Sequence, residues 1–161
     1  MAESLQIHLG DLTATESFGR RLGGLLFPGA VVGLVGPLGA GKTHLVRAVA
    51  EGLGLRDGAA VSSPTFVLIQ EYDARLPVYH FDAYRLNSEG EFFDLGAHEY
   101  FEGGGVCLVE WANRVSGCLP RERLTIRLEI TGETSRRAAI DAVGPRYEVV
   151  VDGLRSSYPV A

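Results

Sequence analysis

Residues 36–43 read Gly-Pro-Leu-Gly-Ala-Gly-Lys-Thr and match the phosphate-binding pattern GxxxxGK[ST]. A glycine-rich loop of this kind turns its backbone amides toward β- and γ-phosphates and leads into the positive N-terminal end of a helix. We expect Lys42 to neutralise phosphate oxygens and the Thr43 hydroxyl to bind a Mg²⁺ ion that bridges the phosphates. The amides and backbone of the loop would come from Leu38, Gly39, Ala40 and Gly41.

Lys42 is the only lysine among the 15 basic residues of the chain. A compact ammonium on a flexible stem suits this position, whereas the fork of an arginine is too broad. Residues 30–35 predict a short buried strand before the loop, and apolar residues recur at helical spacing after it. The alternative is a glycine turn that only caps a helix. The order of strand, loop and helix favours the phosphate loop.

Two acidic residues stand where a phosphate loop would need them for hydrolysis. Asp82 follows the segment Val-Tyr-His-Phe at 78–81, and Glu110 follows the apolar run 106–109. Each can lie at the C-terminal end of a core strand and face the crevice where nucleotides bind. Phosphoryl transfer needs a carboxylate that organises the metal and a group that positions water. For either acid alone, the alternative is a solvated charge at the end of a strand.

The run Ser-Ser-Pro-Thr-Phe at 62–66 offers hydroxyls on a rigid turn about twenty residues after Lys42, where many phosphate-loop proteins sense the γ-phosphate. Pro64 restricts Ser63 to extended geometry, and this would aim Thr65 toward the site. The alternative is an ordinary Ser-Pro turn that leads into a strand.

Three further residues have more than one interpretation each. His80 shares a strand face with Asp82, so it is either a proton carrier or a core histidine paired with that carboxylate. Arg85 is either a charge stabiliser for phosphoryl transfer or a surface ion pair. Trp111 either lines the crevice or docks a partner, with core packing as the alternative.

The composition predicts one globular domain over residues 1–161. At 161 residues the chain is long enough to bury about two-thirds of its unfolded surface, and a hydrophobic fraction of 46% fits a globular core. A net charge of −5 argues against binding nucleic acid through overall electrostatics. Cys107 and Cys118 lack a metal-like spacing, so we expect reduced thiols. The uncharged stretch 22–41 holds seven glycines and two prolines, which predicts no membrane span, and the start of the chain lacks a basic signal segment. We therefore expect a cytoplasmic protein.

Periodicity and turn residues predict a three-layer α/β sandwich. The first helix is expected after a capping box at 13–16, and a short helix after a second box at 88–91. The last two strands alternate strongly, so the mixed sheet should combine a parallel core with antiparallel strands. The predicted strands are 5–9, 30–35, 66–72, 77–84, 106–109, 124–130 and 137–143.

The order and spacing of four motifs resemble the bacterial tRNA threonylcarbamoyladenosine biosynthesis ATPase family, TsaE. These motifs are the loop at 36–43, Ser-Pro-Thr-Phe at 63–66, His-Phe-Asp-Ala-Tyr-Arg at 80–85 and Glu-Trp at 110–111. The resemblance covers nearly the whole chain and implies a P-loop NTPase fold. It also implies an ATPase that works with a threonylcarbamoyl transferase complex of two other proteins, of the TsaD and TsaB type, and resets it between cycles. That complex modifies N6 of adenosine 37 in tRNAs reading codons that begin with A, so tRNA would be reached indirectly.

The resemblance also implies roles for individual residues. Lys42 and the loop amides would hold the phosphates of ATP, while Thr43 and Glu110 would bind Mg²⁺. Asp82 would support hydrolysis, and Ser63 and Thr65 would form the nucleotide-sensing segment. The adenine would lie between the segment at Leu12 and Thr13 and the turn at Ser135 and Arg136.

Two other classes combine a phosphate loop with a different activity. A small-molecule kinase also uses carboxylates at strand ends, but such kinases usually carry an arginine-rich lid, and the pair Arg136 and Arg137 lies in a predicted hairpin. A regulatory GTPase selects guanine with an Asn-Lys-x-Asp element. With Lys42 already in the loop, no lysine remains to build it.

The missing guanine element predicts that the protein binds ATP in preference to GTP. Competition of unlabelled ATP and GTP against a fluorescent ATP analogue measures this preference directly. Equal affinity for the two nucleotides would contradict the prediction.

Overall fold

The computed structural model describes residues 4–56, 69–84 and 86–158. Within these residues seven strands form one sheet in the order β1-β7-β6-β2-β5-β4-β3. The strands are β1 Leu5–Leu9, β2 Val31–Val35, β3 Ile69–Tyr72, β4 Val78–Asp82, β5 Val106–Glu110, β6 Arg123–Ile130 and β7 Arg136–Val143. The helices are α1 Leu12–Leu25, α2 Lys42–Gly52, α3 Glu89–Asp94, α4 Ala97–Phe101 and α5 Pro145–Ser157, with short 3₁₀ turns at Ala112–Arg114 and Ser116–Cys118.

The centre of the sheet is parallel and its margins are antiparallel. Strands β6, β2, β5 and β4 run parallel to one another, whereas β3, β7 and β1 pair antiparallel with their neighbours. All five residues of β5 are buried because helical layers cover both faces at this position. The predicted three-layer α/β fold with a mixed sheet is confirmed.

Two apolar clusters separate the layers. On one face, side chains of α1, α2 and α5 pack against alternate residues of the strands, including Val32, Leu108 and Ile126. On the other face, a smaller cluster gathers α3, α4 and the 3₁₀ turns around Phe81 and Val109. The alternation of neighbouring strand residues between the two faces follows from the pleat of the strands.

Helices α1 and α2 approach each other through glycines. A Cβ atom on Gly23 would overlap the carbonyl oxygen of Val49, and one on Gly52 would overlap the carbonyl oxygen of Arg20. Such backbone contact holds the C-terminal end of α2 at a fixed distance from α1. The first helix therefore packs directly on the helix that follows the phosphate loop.

Helix starts differ from the sequence prediction in detail. Asp11 caps α1, and its carboxylate accepts a hydrogen bond of 2.8 Å from the amide of Ala14, so the predicted capping box at 13–16 is wrong. Because the helix begins at Leu12, Thr13 lies inside its first turn and cannot be the residue that caps it. Ser88 does cap α3, as predicted, by accepting from the Glu91 amide at 3.2 Å.

Helix α5 is an element that the sequence analysis missed. It begins with Pro145 directly after Gly144, which has a φ of 107°. Pro in the first turn and buried Tyr147, Val150 and Leu154 at helical spacing are the signals that could have revealed it. Strand β4 is shorter than the predicted 77–84, and of the predicted strand 66–72 only β3 lies within the described residues.

Both cysteines are free thiols, as predicted. Burial raises the pKa of Cys107 to about 12, so this thiol in β5 stays protonated at neutral pH. In the described parts of the chain, none of the helices has the length and apolar character that crossing a bilayer requires.

The glycine contact between α1 and α2 predicts different costs for two neighbouring glycines. Gly23→Ala should lower the free energy of unfolding by about 1–3 kcal/mol because the added methyl must push α2 away. Gly24→Ala is the matched control, since a Cβ there meets nothing within 4 Å. It should be neutral or stabilise by up to about 1 kcal/mol. Urea unfolding of both variants checks this, and equal stabilities would refute the role of the contact.

Candidate nucleotide-binding site

The phosphate loop joins the end of β2 to the start of α2. Gly39 and Gly41 have φ values of 81° and 103°, which side chains of L-residues rarely adopt, so the two glycines allow the loop to curl. Helix α2 begins directly at Lys42. The Lys42 ammonium is buried and donates to the carbonyl oxygens of Gly36 at 2.7 Å and Pro37 at 2.9 Å. The loop thus folds around the cation.

Opposing effects act on the charge of Lys42. Burial lowers its pKa, while the nearby carboxylates of Glu110 and Asp82 act in the opposite direction. The ammonium also lies 4.1 Å from the centroid of the Trp111 ring, within cation–π distance. An incoming phosphate would add a further anionic partner in this partly desolvated place.

The side chains of Thr43 and Glu110 meet at the mouth of the loop. The Thr43 hydroxyl lies 3.3 Å and 3.4 Å from the two carboxylate oxygens of Glu110 and donates to them. Asp82 lies opposite Glu110 in the parallel pairing of β4 with β5, so both acids reach the same edge of the sheet. This edge adjoins the N-terminal end of α2. Hydroxyl and carboxylate oxygens are the ligands that Mg²⁺ prefers, so the residues present fit this ion.

A crevice of about 420 Å³ opens between the loop and the ends of β4 and β5. It brings together most of the residues predicted for phosphate and metal binding, although their roles stay predictions. Its lining residues are Leu38, Gly39, Gly41, Lys42, Thr43, His44, Asp82, Tyr84, Glu110 and Trp111.

Trp111 forms a wall of this crevice. Its φ of 59° makes it the one non-glycine residue with a left-handed backbone in the described ranges. Such a conformation costs on the order of 1–3 kcal/mol and is found where the surrounding structure requires it. Here it turns the chain sharply after β5 and places the indole between Lys42 and Tyr84, whose ring centroid is 4.9 Å away. Of the interpretations given for Trp111, the structure supports the one in which it lines the crevice.

His80 does not pair with Asp82, as one interpretation of the sequence suggested. Its Nε2 lies 2.5 Å from a carboxylate oxygen of Glu110, and its Nδ1 lies 3.2 Å from the Tyr72 hydroxyl. Asp82 instead accepts a hydrogen bond of 2.9 Å from the amide of Tyr84. Neighbouring side chains on one face of a strand point outward in parallel, and this explains why His80 reaches across to the next strand.

A second cavity of about 500 Å³ lies on the other side of the loop. The start of α1, the phosphate loop and the β6–β7 turn enclose it, with Leu12, Thr13, Gly39, Ala40, Gly41, Thr134 and Arg136 among the lining residues. This is the place where the resemblance puts the adenine. Ser135 is not among the lining residues, because its side chain turns toward the Thr131 hydroxyl at 2.9 Å.

Arg136 ties the phosphate loop to the β6–β7 turn. Its guanidinium donates to the carbonyl oxygens of Ala40 at 3.1 Å and Gly39 at 3.2 Å. It also donates to those of Gly132 at 3.1 Å and Ser135 at 2.8 Å. Sequence reasoning placed Arg136 near the adenine but missed this contact, since no local pattern reports a bond between residues 96 positions apart.

Some predicted residues lie outside the described residues. These are Ser63 and Thr65 of the proposed sensing segment, and Arg85.

Fold and site together define a domain of the P-loop class: a strand, a glycine-rich loop and a helix, with carboxylates at the ends of adjacent parallel strands. A crystal structure of YdiB from Bacillus subtilis superposes with a TM-score of 0.81 at 37% sequence identity, covering 98% of this chain and 97% of that one.

Sequence comparisons identify the family. The family model for the threonylcarbamoyl adenosine biosynthesis protein TsaE matches residues 9–138. The tRNA threonylcarbamoyladenosine biosynthesis protein TsaE of Bacillus subtilis is 50% identical over 128 residues, which are 79% of this chain and 78% of the relative. That of Treponema pallidum is 44% identical over 126 residues, 78% of this chain and 92% of the relative. The chain therefore belongs to the TsaE family, and the resemblance noted in the sequence is confirmed.

The bonds of Arg136 predict that it supports nucleotide affinity. Arg136→Ala should weaken ATP binding on the order of tenfold, about 1.4 kcal/mol, because two loop carbonyls lose a charged donor. Arg137→Ala is the matched control, since this neighbour makes an exposed ion pair with Glu129 at 3.2 Å. Titration with a fluorescent ATP analogue compares the two. Equal affinities would show that the loop holds its shape without Arg136.

Proposed function

We propose that this protein binds ATP, hydrolyses it with Mg²⁺ and thereby serves threonylcarbamoyladenosine formation in tRNA. The pathway assignment is supported by membership of the TsaE family, whose relatives are named for tRNA threonylcarbamoyladenosine biosynthesis. The single observation that carries the chemical part is the contact of Thr43 with Glu110 beside the Lys42 loop. This contact places two oxygen-bearing side chains that could bind Mg²⁺ next to the loop that would hold the phosphates.

Each part of the phosphate site has a physical task in this proposal. The loop amides and the N-terminus of α2 attract the β- and γ-phosphates, and Lys42 exchanges its loop carbonyl partners for phosphate oxygens. Thr43 and Glu110 would hold Mg²⁺, and the ion would supply positive charge beside the phosphoryl group that is transferred. Asp82, next to Glu110 at the end of β4, orients the attacking water.

The adenine takes the second cavity, on the far side of the loop from the acids. Half-exposed Leu12 offers apolar surface to a base, and Thr13 and Thr134 offer hydroxyls. Because Gly39 and Gly41 line both cavities, a nucleotide that spans them would cross the loop. The adenine and the triphosphate would thus be bound on opposite sides of the phosphate loop.

The partner is a threonylcarbamoyl transferase complex of the TsaD and TsaB type, which this ATPase resets between cycles in the cytoplasm. The protein reaches tRNA through that complex, in keeping with its net charge of −5. We expect slow hydrolysis by the isolated chain. Some phosphate-loop hydrolases use a glutamine to position the attacking water, whereas Gln70 on β3 accepts a hydrogen bond from the Tyr72 hydroxyl.

The proposal predicts that substitutions of Lys42 and of Glu110 impair different steps, nucleotide binding and turnover respectively. Lys42→Ala should abolish ATP binding because the loop loses its only ammonium, whereas Glu110→Gln should keep metal-free nucleotide binding and lose turnover. Binding is measured with a fluorescent ATP analogue in EDTA, and turnover by phosphate release with and without the purified partner complex.

Wild-type protein should release phosphate faster when the complex is added, and Glu110→Gln should not respond. Three outcomes would each contradict the proposal: tight ATP binding by Lys42→Ala, fast turnover by the wild-type chain alone, or transfer of ³²P from ATP to a small acceptor. The last of these would favour a kinase.

A further inference from the structure

A line of buried polar groups leads away from the nucleotide site into the core. Tyr72 is 7% exposed, His80 0% and Glu110 3%. The Tyr72 hydroxyl lies 3.2 Å from Nδ1 of His80, and Nε2 of His80 lies 2.5 Å from Glu110. Tyr72 also donates to the side-chain carbonyl of Gln70. The line therefore connects the edge strand β3 with the acid that contacts Thr43.

The sheet register explains why these groups meet. Tyr72 on β3 lies opposite Val78, two residues before His80 on β4. His80 lies opposite Leu108, two residues before Glu110 on β5. The three polar side chains thus occupy successive diagonal positions on one face of the sheet, the face that α2 covers. Diagonal neighbours are about 7–8 Å apart, a distance that long and aromatic side chains can bridge.

The chemistry of these side chains limits which of them can donate a hydrogen bond and which can accept one. An ionised carboxylate only accepts hydrogen bonds, so Nε2 of His80 must carry the proton that points at Glu110. The Tyr72 hydroxyl contacts both Gln70 and Nδ1 of His80, so it lies against the side of the imidazole that faces away from Glu110. The Thr43 hydroxyl approaches the same carboxylate from the loop side. Glu110 therefore has a hydrogen-bond partner from the core on one side and one from the loop on the other.

We propose that His80 and Tyr72 are positioning residues that fix the Glu110 carboxylate in the orientation in which it meets Thr43. The inference rests on the proposed function, because it takes Glu110 as the acid that organises the metal. A glutamate side chain rotates about three bonds, and in a site open to the crevice it would otherwise sample several orientations. Partners that orient a metal-binding carboxylate typically change metal affinity 10–100-fold when they are lost.

An ordinary core network would behave differently. Were His80 there only to satisfy buried polar groups, its loss would lower stability and would affect nucleotide and metal binding alike. A positioning role acts on the metal step, because Lys42 donates to the loop carbonyls of Gly36 and Pro37, whereas His80 contacts Tyr72 and Glu110. The distinguishing measurement is thus metal affinity compared with metal-free nucleotide affinity.

The experiment titrates Mn²⁺ into the complex of the full chain with a nonhydrolysable ATP analogue and follows free Mn²⁺ by electron paramagnetic resonance. His80→Leu should weaken Mn²⁺ binding at least tenfold and leave the analogue's affinity in EDTA unchanged within about twofold. His80→Gln, whose amide nitrogen can replace Nε2 as the donor, should recover most of the loss. Tyr72→Phe, which removes one oxygen atom, should show a smaller loss.

Tyr79→Phe is the matched control. Tyr79 lies on β4 one residue before His80, and its ring packs against Tyr100 on the opposite face of the sheet. This variant should bind Mn²⁺ like the wild type. If His80→Leu does not fold, Tyr72→Phe and Tyr79→Phe decide the question, since each keeps its ring.

Wild-type Mn²⁺ affinity in His80→Leu, or in Tyr72→Phe when the leucine variant does not fold, would overturn the inference. A parallel loss of metal-free nucleotide affinity would do the same. Glu110→Gln separates this failure from that of the proposed function. If Glu110→Gln weakens Mn²⁺ binding while the His80 and Tyr72 variants do not, only the positioning inference fails; if Glu110→Gln binds Mn²⁺ like the wild type, both fail.

Discussion

The parallel pairing of β2, β5 and β4 is the constraint on which the site depends. Parallel strands bring their carboxyl ends to one edge, so the phosphate loop after β2 and the acids that end β5 and β4 arrive together. A one-residue slip of β5 would turn Glu110 to the opposite face of the sheet. Full burial of β5 between two helical layers resists such a slip.

This edge concentrates charge in a partly dry environment. Lys42, Glu110 and His80 are all buried, and burial of a charge is unfavourable unless partners compensate. Carbonyl oxygens compensate for Lys42, while a hydroxyl and an imidazole compensate for Glu110. The same arrangement keeps the groups of the site oriented before a ligand arrives, which lowers the cost of binding.

Glycine has two distinct uses near the site. In the loop, Gly39 and Gly41 adopt a left-handed backbone, so the amides can turn inward. In the helices, Gly23 and Gly52 let two backbones approach directly. The second use fixes the distance between α1 and the C-terminal end of α2. Glycine thus shapes the loop in one place and the packing of the following helix in another.

Local patterns in the chain were sufficient for the order of most elements, the mixed sheet, the phosphate loop and the acids at the strand ends, because periodicity and loop chemistry act between near neighbours. They missed α5 and misassigned the cap of α1, where Asp11 competes with Thr13 within one turn. Only the tertiary structure decided that His80 contacts Glu110 and Tyr72 and that Arg136 binds the loop. These contacts depend on strand register and on loops that meet in space. The spacing of residues along the chain does not determine either of them, because the partners are distant in sequence.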